Sequence, residues 1–303
     1  MLSIEVKDIK GRVINAGAPL SLVMDREDDV PADSVVVKLK DVNLPELMSL
    51  EVYRQGELVF SGEVDEQTEV FGKNSYTELT ARDSAARLID SEAYPMSFVN
   101  PSAKDIFDFY AAPFGFDKMV GRNKSYSGKF TVNKGISCYT AIKRFAMEVY
   151  GVFPKCKVNS LYMEGIKSDE VLNLGGNGIP VTDMRVVNLR CNRVSRVYLK
   201  HKEGEGYHSF LSDEKAEKDG IHKVRYINLT QKGSGLKDAD VIFDEAKKKS
   251  FYADVVCRGF YGDALGKTAC LEGLDTEYYV SSVRFVADKN GELTKLRILR
   301  KEG

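Results

Sequence analysis

Glu51-Val52-Tyr53-Arg54-Gln55-Gly56-Glu57-Leu58-Val59-Phe60 holds two short apolar runs split by Gln55-Gly56. A two-residue turn containing glycine is what a tight β-hairpin requires, because its central residues take positive φ. Upstream, Ser34-Val35-Val36-Val37-Lys38-Leu39-Lys40 sets Val35, Val37 and Leu39 on one face at period two, the pattern of a half-buried strand. Downstream, Thr68-Glu69-Val70-Phe71 and Tyr76-Thr77-Glu78-Leu79-Thr80 flank Gly72-Lys73-Asn74-Ser75 and predict a second hairpin. Short strands at this spacing predict a small barrel or sandwich. The stripe Val35, Val37, Leu39 then has two readings: the core of that barrel, or an apolar interface offered to a neighbouring subunit.

Beyond Thr80 the period changes to 3.6. Asp83 is placed to cap a short helix through Ala86, Leu88 and Ile89. Asn100-Pro101-Ser102-Ala103-Lys104-Asp105 reads as a helix start with an S-x-x-D capping pattern, and Pro113 with Gly115 ends the helix. The clearest helix runs from Ser137 to Tyr150, with Ile142, Phe145, Ala146 and Val149 on one face and Gly151 at the C′ site. Residues 84–170 therefore read as a small helix-containing α+β insert.

After Gly175-Gly176-Asn177-Gly178, which reads as a flexible domain connection, strands return. Met184–Leu189 and Arg193–Leu199 are two of them, followed by a densely charged stretch at 202–220 that reads as an exposed, solvated loop. Asp240–Lys249 predicts one helix and Ala253–Cys257 a strand; Tyr278–Val286 and Leu293–Leu299 flank Asn290-Gly291, a strong hairpin signal.

Composition narrows the chemistry. In 303 residues, 44 Lys and Arg stand against 45 Asp and Glu. That balance argues against a protein that grips nucleic acid, since counterion release needs a cationic excess. No apolar run approaches the roughly 18 residues of a membrane span, and the N-terminus alternates apolar and polar residues without a signal core, giving the expectation of a soluble cytoplasmic product. Cys138, Cys156, Cys191, Cys257 and Cys270 form no C-x-x-C pair and read as buried small hydrophobes.

No catalytic motif emerges. Gly266-Lys267-Thr268 resembles the end of a phosphate loop, but the glycine required five residues before Gly266 is Tyr261, so a turn between strands is expected. His201, His208 and His222 are spaced seven and fourteen residues apart, unlike metal ligands sharing a helix face. Asp105 and Asp108 sit on a solvated helix face. The expectation is a non-enzyme with no cofactor and no metal, whose function lies in its surfaces.

The stretch Tyr76-Thr77-Glu78-Leu79-Thr80-Ala81-Arg82-Asp83-Ser84-Ala85-Ala86-Arg87-Leu88-Ile89-Asp90-Ser91-Glu92-Ala93 resembles the strand-then-helix segment of phage tail baseplate hub proteins, the late-control protein D and Mu-like hub family that includes prophage tail proteins. Asn100–Ile106 through Pro113-Phe114-Gly115, Lys134-Gly135-Ile136-Ser137-Cys138, and the stretch from Gly259-Phe260-Tyr261-Gly262-Asp263 to Val283 are similar to later parts of that family, in order. The resemblance implies an α+β, mainly β fold: two β-barrel-like domains flanking the helical insert. On that basis residues 1–83 form the first barrel-like domain, 84–170 the insert, and 171–303 the second barrel-like domain with one helix and the charged loop.

The function implied is a structural hub of a contractile phage tail or phage-tail-like particle. It would form a homotrimeric ring adapting the sixfold tail tube to the threefold central spike. Implied partners are copies of itself, the tail spike protein, the tail tube or tube-initiator protein and the tape-measure protein, with neither membrane insertion nor specific nucleic acid. Implied locations are the virion tail baseplate and, during assembly, the bacterial host cytoplasm. The chain is compact for the group, which gives the expectation of no appended peptidoglycan-hydrolase segment and weighs against a wall-degrading role. The alternatives are a peptidoglycan-degrading tail enzyme and a carbohydrate- or receptor-binding module.

Overall fold

The computed structural model describes residues 1–40, 43–166, 168, 170–200, 206–228, 239–273 and 277–300. The chain is mainly β with few helices. It divides into two compact units, one of Met1–Asp169, Cys257–Lys267 and Ser281–Leu296, the other of Glu170–Val256, Thr268–Val280 and Arg297–Gly303.

The chain opens with seven strands: β1 (Leu2–Asp8), β2 (Val13–Gly17), β3 (Ser21–Glu27), β4 (Ser34–Leu39), β5 (Leu47–Arg54), β6 (Glu57–Val70) and β7 (Tyr76–Arg82). They form a curled antiparallel sheet in the order β3-β4-β7-β6-β5-β1-β2. The β5–β6 turn is the one the sequence predicts, with Gln55 at φ 53° and Gly56 at φ 86°. The two short runs expected at 57–60 and 68–71 belong instead, up to Val70, to one fourteen-residue strand, β6. It spans both because it shifts register between Val64 and Glu66 while pairing with β5 and then β7. Gly62 permits that passage: a Cβ there would stand 2.3 Å from the Arg82 carbonyl oxygen.

Val35, Val37 and Leu39 are fully buried, packed with Ile4, Leu50 and Leu79 in the core of this sheet. β4 is also paired on both sides, by β3 and β7. The stripe thus has neither side-chain surface nor a free backbone edge for another subunit, and the interface reading of these three residues is corrected to core. Full burial of such aliphatic side chains stabilises the fold by about 2 kcal/mol each.

The insert follows with α1 (Ala85–Asp90), β8 (Met96–Val99), α2 (Ala103–Tyr110), β9 (Lys118–Val120), β10 (Lys129–Val132), α3 (Cys138–Tyr150), β11 (Lys155–Lys157) and β12 (Ser160–Tyr162). Ser102 caps α2 in a complete capping box with Asp105, and α3 starts on Ser137 and ends on Gly151 at φ 73°. Their apolar faces meet in one core around Ile106, Tyr110, Ile142 and Phe145.

The second unit holds β13 (Val171–Leu174), β14 (Val181–Asn188), β15 (Arg196–Lys200), β16 (Ser209–Ser212), α4 (Glu214–Lys218), β17 (Val224–Asn228) and α5 (Ala239–Lys249). β18 (Phe251–Arg258), β19 (Thr268–Leu271), β20 (Glu277–Asp288) and β21 (Gly291–Arg300) complete the chain, each of β18, β20 and β21 dividing its residues between the units. The C-terminal hairpin, expected within 171–303, gives residues 281–296 to the first unit. There Ser282–Ala287 of β20 pairs antiparallel with Leu22–Glu27 of β3, and Phe285 joins the barrel core. Gly175–Gly178 forms the β13–β14 turn, closed by Gly178 N–H donating to the Gly175 carbonyl at 2.9 Å.

Candidate interaction face

The stretch expected as one exposed loop, 202–220, is in its described part an ordered pair of elements, β16 and α4, with residues 201–205 outside the described set. Charge density misled the reading, because Ser209-Phe210-Leu211-Ser212 is a short uncharged run hidden inside it. β16 pairs antiparallel with β15, and β17 pairs parallel with β15 on its other side. The register sets Phe210, Tyr198 and Tyr226 in one row across all three strands.

Alternation decides which way that row faces. Val197 and Ile227 point into a core with Val194, Phe243 and Ala246, so the adjacent residues Tyr198 and Tyr226 face the opposite way. The outward row is aromatic throughout. Tyr198 stacks on Tyr226 with centroids 5.3 Å apart and tilts against Phe210 at 5.5 Å. Tyr207 meets Tyr226 edge-on at 5.1 Å. Arg196 lies over Phe210 at 5.1 Å while ion-paired to Glu217 of α4. Tyr226 is 61% exposed and Phe210 49%.

Tyr207, Phe210 and Tyr226 are exposed around a half-buried Tyr198, and a cluster of exposed aromatics of this kind is a candidate contact surface. The rings pack against one another, and Arg196 is held over Phe210 at one end of the row. Tyr and Arg held in this way are the residue types that carry binding energy in protein–protein interfaces. The sequence reading missed the row because its members lie on three strands spaced up to 28 residues apart; the alternation Val224-Arg225-Tyr226-Ile227 was the available signal.

The other charged groupings are tied up internally. A cleft of about 770 Å³ in the second unit is lined by cations and carboxylates, of which Arg193 pairs with Asp219 at 2.6 Å and Lys247 with Asp213 at 3.3 Å. In the first unit Asp33 lies 3.2 Å from Arg26 and 3.1 Å from Lys155. Lys155 also donates to the carbonyls of Glu27 and Val30, both at 2.7 Å. Asp83 lies in this cluster and accepts from the Ala85 N–H at 3.0 Å just ahead of α1, whose N-cap position falls on Ser84 rather than on the expected Asp83. Burial, reinforced by the charge of Asp33, raises its carboxyl from 3.8 to about 7.

The remaining sequence candidates are dispersed. Lys267 of the Gly-Lys-Thr segment pairs with Asp263 at 2.9 Å, and Gly266 occupies a turn at φ 78°. Asp105 serves the α2 cap and Asp108 pairs with Lys104. His208 and His222 are exposed, and His201 lies outside the described residues. Among the described residues no group of three His, Cys, Asp or Glu side chains is arranged to hold a metal ion. No helix among them is long and apolar enough to cross a membrane.

Neither a family model nor a curated protein matches the chain. Solved structures do. A tail protein from Neisseria meningitidis MC58 superposes with a TM-score of 0.79 at 19% identity, over 99% of this chain and 97% of that one. The 43 kDa tail protein of prophage MuSo2 from Shewanella oneidensis gives 0.80 at 17% identity, with the same coverage. The E. coli c3393 protein, a type VI secretion system component structurally similar to the T4 tail proteins gp27 and gp5, gives 0.59 at 7% identity, over 99% of this chain and 77% of that one. At these identities the likeness establishes the fold, and the fold is that of phage tail proteins and their secretion-system counterparts.

Proposed function

We propose that the chain is a structural hub of a contractile-tail baseplate, acting by assembly rather than catalysis. Three copies would ring the tail axis, join the sixfold tube to the threefold spike, and meet tube-initiator and tape-measure proteins there. The observation that carries this reading is the extent of the fold likeness, which takes in 99% of this chain and 97% of each of two tail proteins. The aromatic row of β15–β17 supports it physically, as a candidate protein-binding face with exposed Phe210 and Tyr226, and a net charge of −1 would let copies pack together without strong self-repulsion. The working location is the tail baseplate, reached from the host cytoplasm during assembly.

Co-purification with the spike and tube proteins encoded nearby tests this. The intact chain is expected to retain the spike, and Phe210→Ala with Tyr226→Ala to weaken capture of a tail partner by at least about tenfold, the effect of losing interface anchors. Both side chains are largely exposed, so the melting temperature should hardly move. Failure of the intact chain to retain any tail component would sink the reading.

A further inference from the structure

The strand Val181-Thr182-Asp183-Met184-Arg185-Val186-Val187-Asn188, β14, is exposed to a degree unusual for a strand: residues 182–186 are all exposed, with Met184 at 45% and Val186 at 44%. Among the described residues it pairs with β18 alone, so its other edge presents unpaired backbone groups. Natural edge strands are commonly guarded by charged side chains or proline; residues 181–188 contain no lysine or proline, and their two charges, Asp183 and Arg185, are of opposite sign, so they guard the edge against other strands but not against a complementary one.

Backbone geometry tells which residues face the open edge. Thr182 reaches the Val256 carbonyl through its hydroxyl, and Leu189 donates its N–H to the Ser250 carbonyl at 2.7 Å, so β14 and β18 run antiparallel. Leu189 lies one residue past the end of β14, and carrying strand alternation back from it assigns the backbone groups of the odd-numbered residues to the β18 side. Thr182, Met184 and Val186 direct theirs to the open edge.

The sequence of the strand reads as its own complement. We propose that β14 pairs antiparallel with β14 of a second copy, about a two-fold axis through Met184. That register sets Asp183 against Arg185 twice, Val181 against Val187 twice, Thr182 against Val186 twice, and Met184 against itself. The outward-facing residues 182, 184 and 186 make the hydrogen-bonded pairs. Asp183 and Arg185 fall in the non-hydrogen-bonded pairs, where side chains stand closest. Both charges are exposed, and neither has an ion-pair partner among the described residues, so the second copy supplies one for each. Shifting the register by two residues sets Asp183 against Asp183 or Arg185 against Arg185, and so loses the complement.

An isologous contact joins two copies and no more. It is therefore separate from any threefold contact of a hub, and it stands without the tail reading. Its consequence is that the free chain shields its open edge against uncontrolled strand addition until assembly.

Sedimentation velocity across a concentration series is the test, with the intact chain expected to approach twice its 33.8 kDa mass as concentration rises. Arg185→Asp places like charges opposite each other at both contacts and should raise the dissociation constant by at least about tenfold. Asp183→Arg with Arg185→Asp restores the complement and should restore the dimer. Unchanged circular dichroism would show all three chains folded. Met184→Cys, with exposed Cys191 replaced by serine, should give a reducible covalent dimer on oxidation. A monomer at every concentration, or a dimer indifferent to charge reversal, overturns the proposal. A trimer insensitive to reversal overturns it while leaving the hub reading standing.

Discussion

Asp83 carries its carboxyl into a cluster whose other members come from distant sequence: Arg26, Asp33 and Lys155, with Cys156 beside it and its thiol pushed up by burial. The helix start was legible locally, because an acidic residue before Ala85-Ala86 signals one, although the N-cap position itself is Ser84. The protonation of Asp83 was not, because Asp33 lies fifty residues earlier. The folded carboxyl titrates near 7 and its ordinary value is 3.8, so the folded chain binds the extra proton throughout that window. The stability this group contributes is therefore present at low pH and lost as pH rises from about 4 to about 7. Asp83→Asn keeps an acceptor for the Ala85 N–H and never ionises. Thermal melts should show the variant gaining on the wild type as pH rises through that window, with the difference levelling above it. A difference that stays constant with pH would refute the assignment.

Elements defined by their own neighbours were read correctly. The Gln55-Gly56 hairpin, the helices capped by Ser102 and Ser137 and the Asn290-Gly291 hairpin each announce themselves within a few residues. Ser102→Ala should accordingly cost about 1 kcal/mol, read as a lower denaturant midpoint with unchanged slope, since it removes the acceptor for the Asp105 N–H. What escaped reading was decided by pairing. β6 is continuous because β5 and β7 hold its two halves, and no local signal distinguishes it from two strands. Phe210 sat in a charged stretch and joined Tyr198 and Tyr226 only through a three-strand register. Val35, Val37 and Leu39 show the converse: period two reveals a buried face, but only the sheet's curl decides whether core or neighbour buries it.

At the scale of the whole molecule, the β, helical, β order was visible in the periodicities, and the resemblance of scattered motifs pointed to the fold. The membership of residues 257–267 and 281–296 in the first unit was not visible, because it depends on β20 pairing with β3 across more than 250 residues. Nor does any local pattern give the number of copies in an assembly, since that depends on which surfaces meet and by what symmetry. Native mass spectrometry of the chain purified with its spike protein tests the hub account most directly. The account predicts three chains per three spike subunits, with no complex containing one chain alone. A chain that stays apart from the spike, or joins it at a ratio other than three to three, would contradict it.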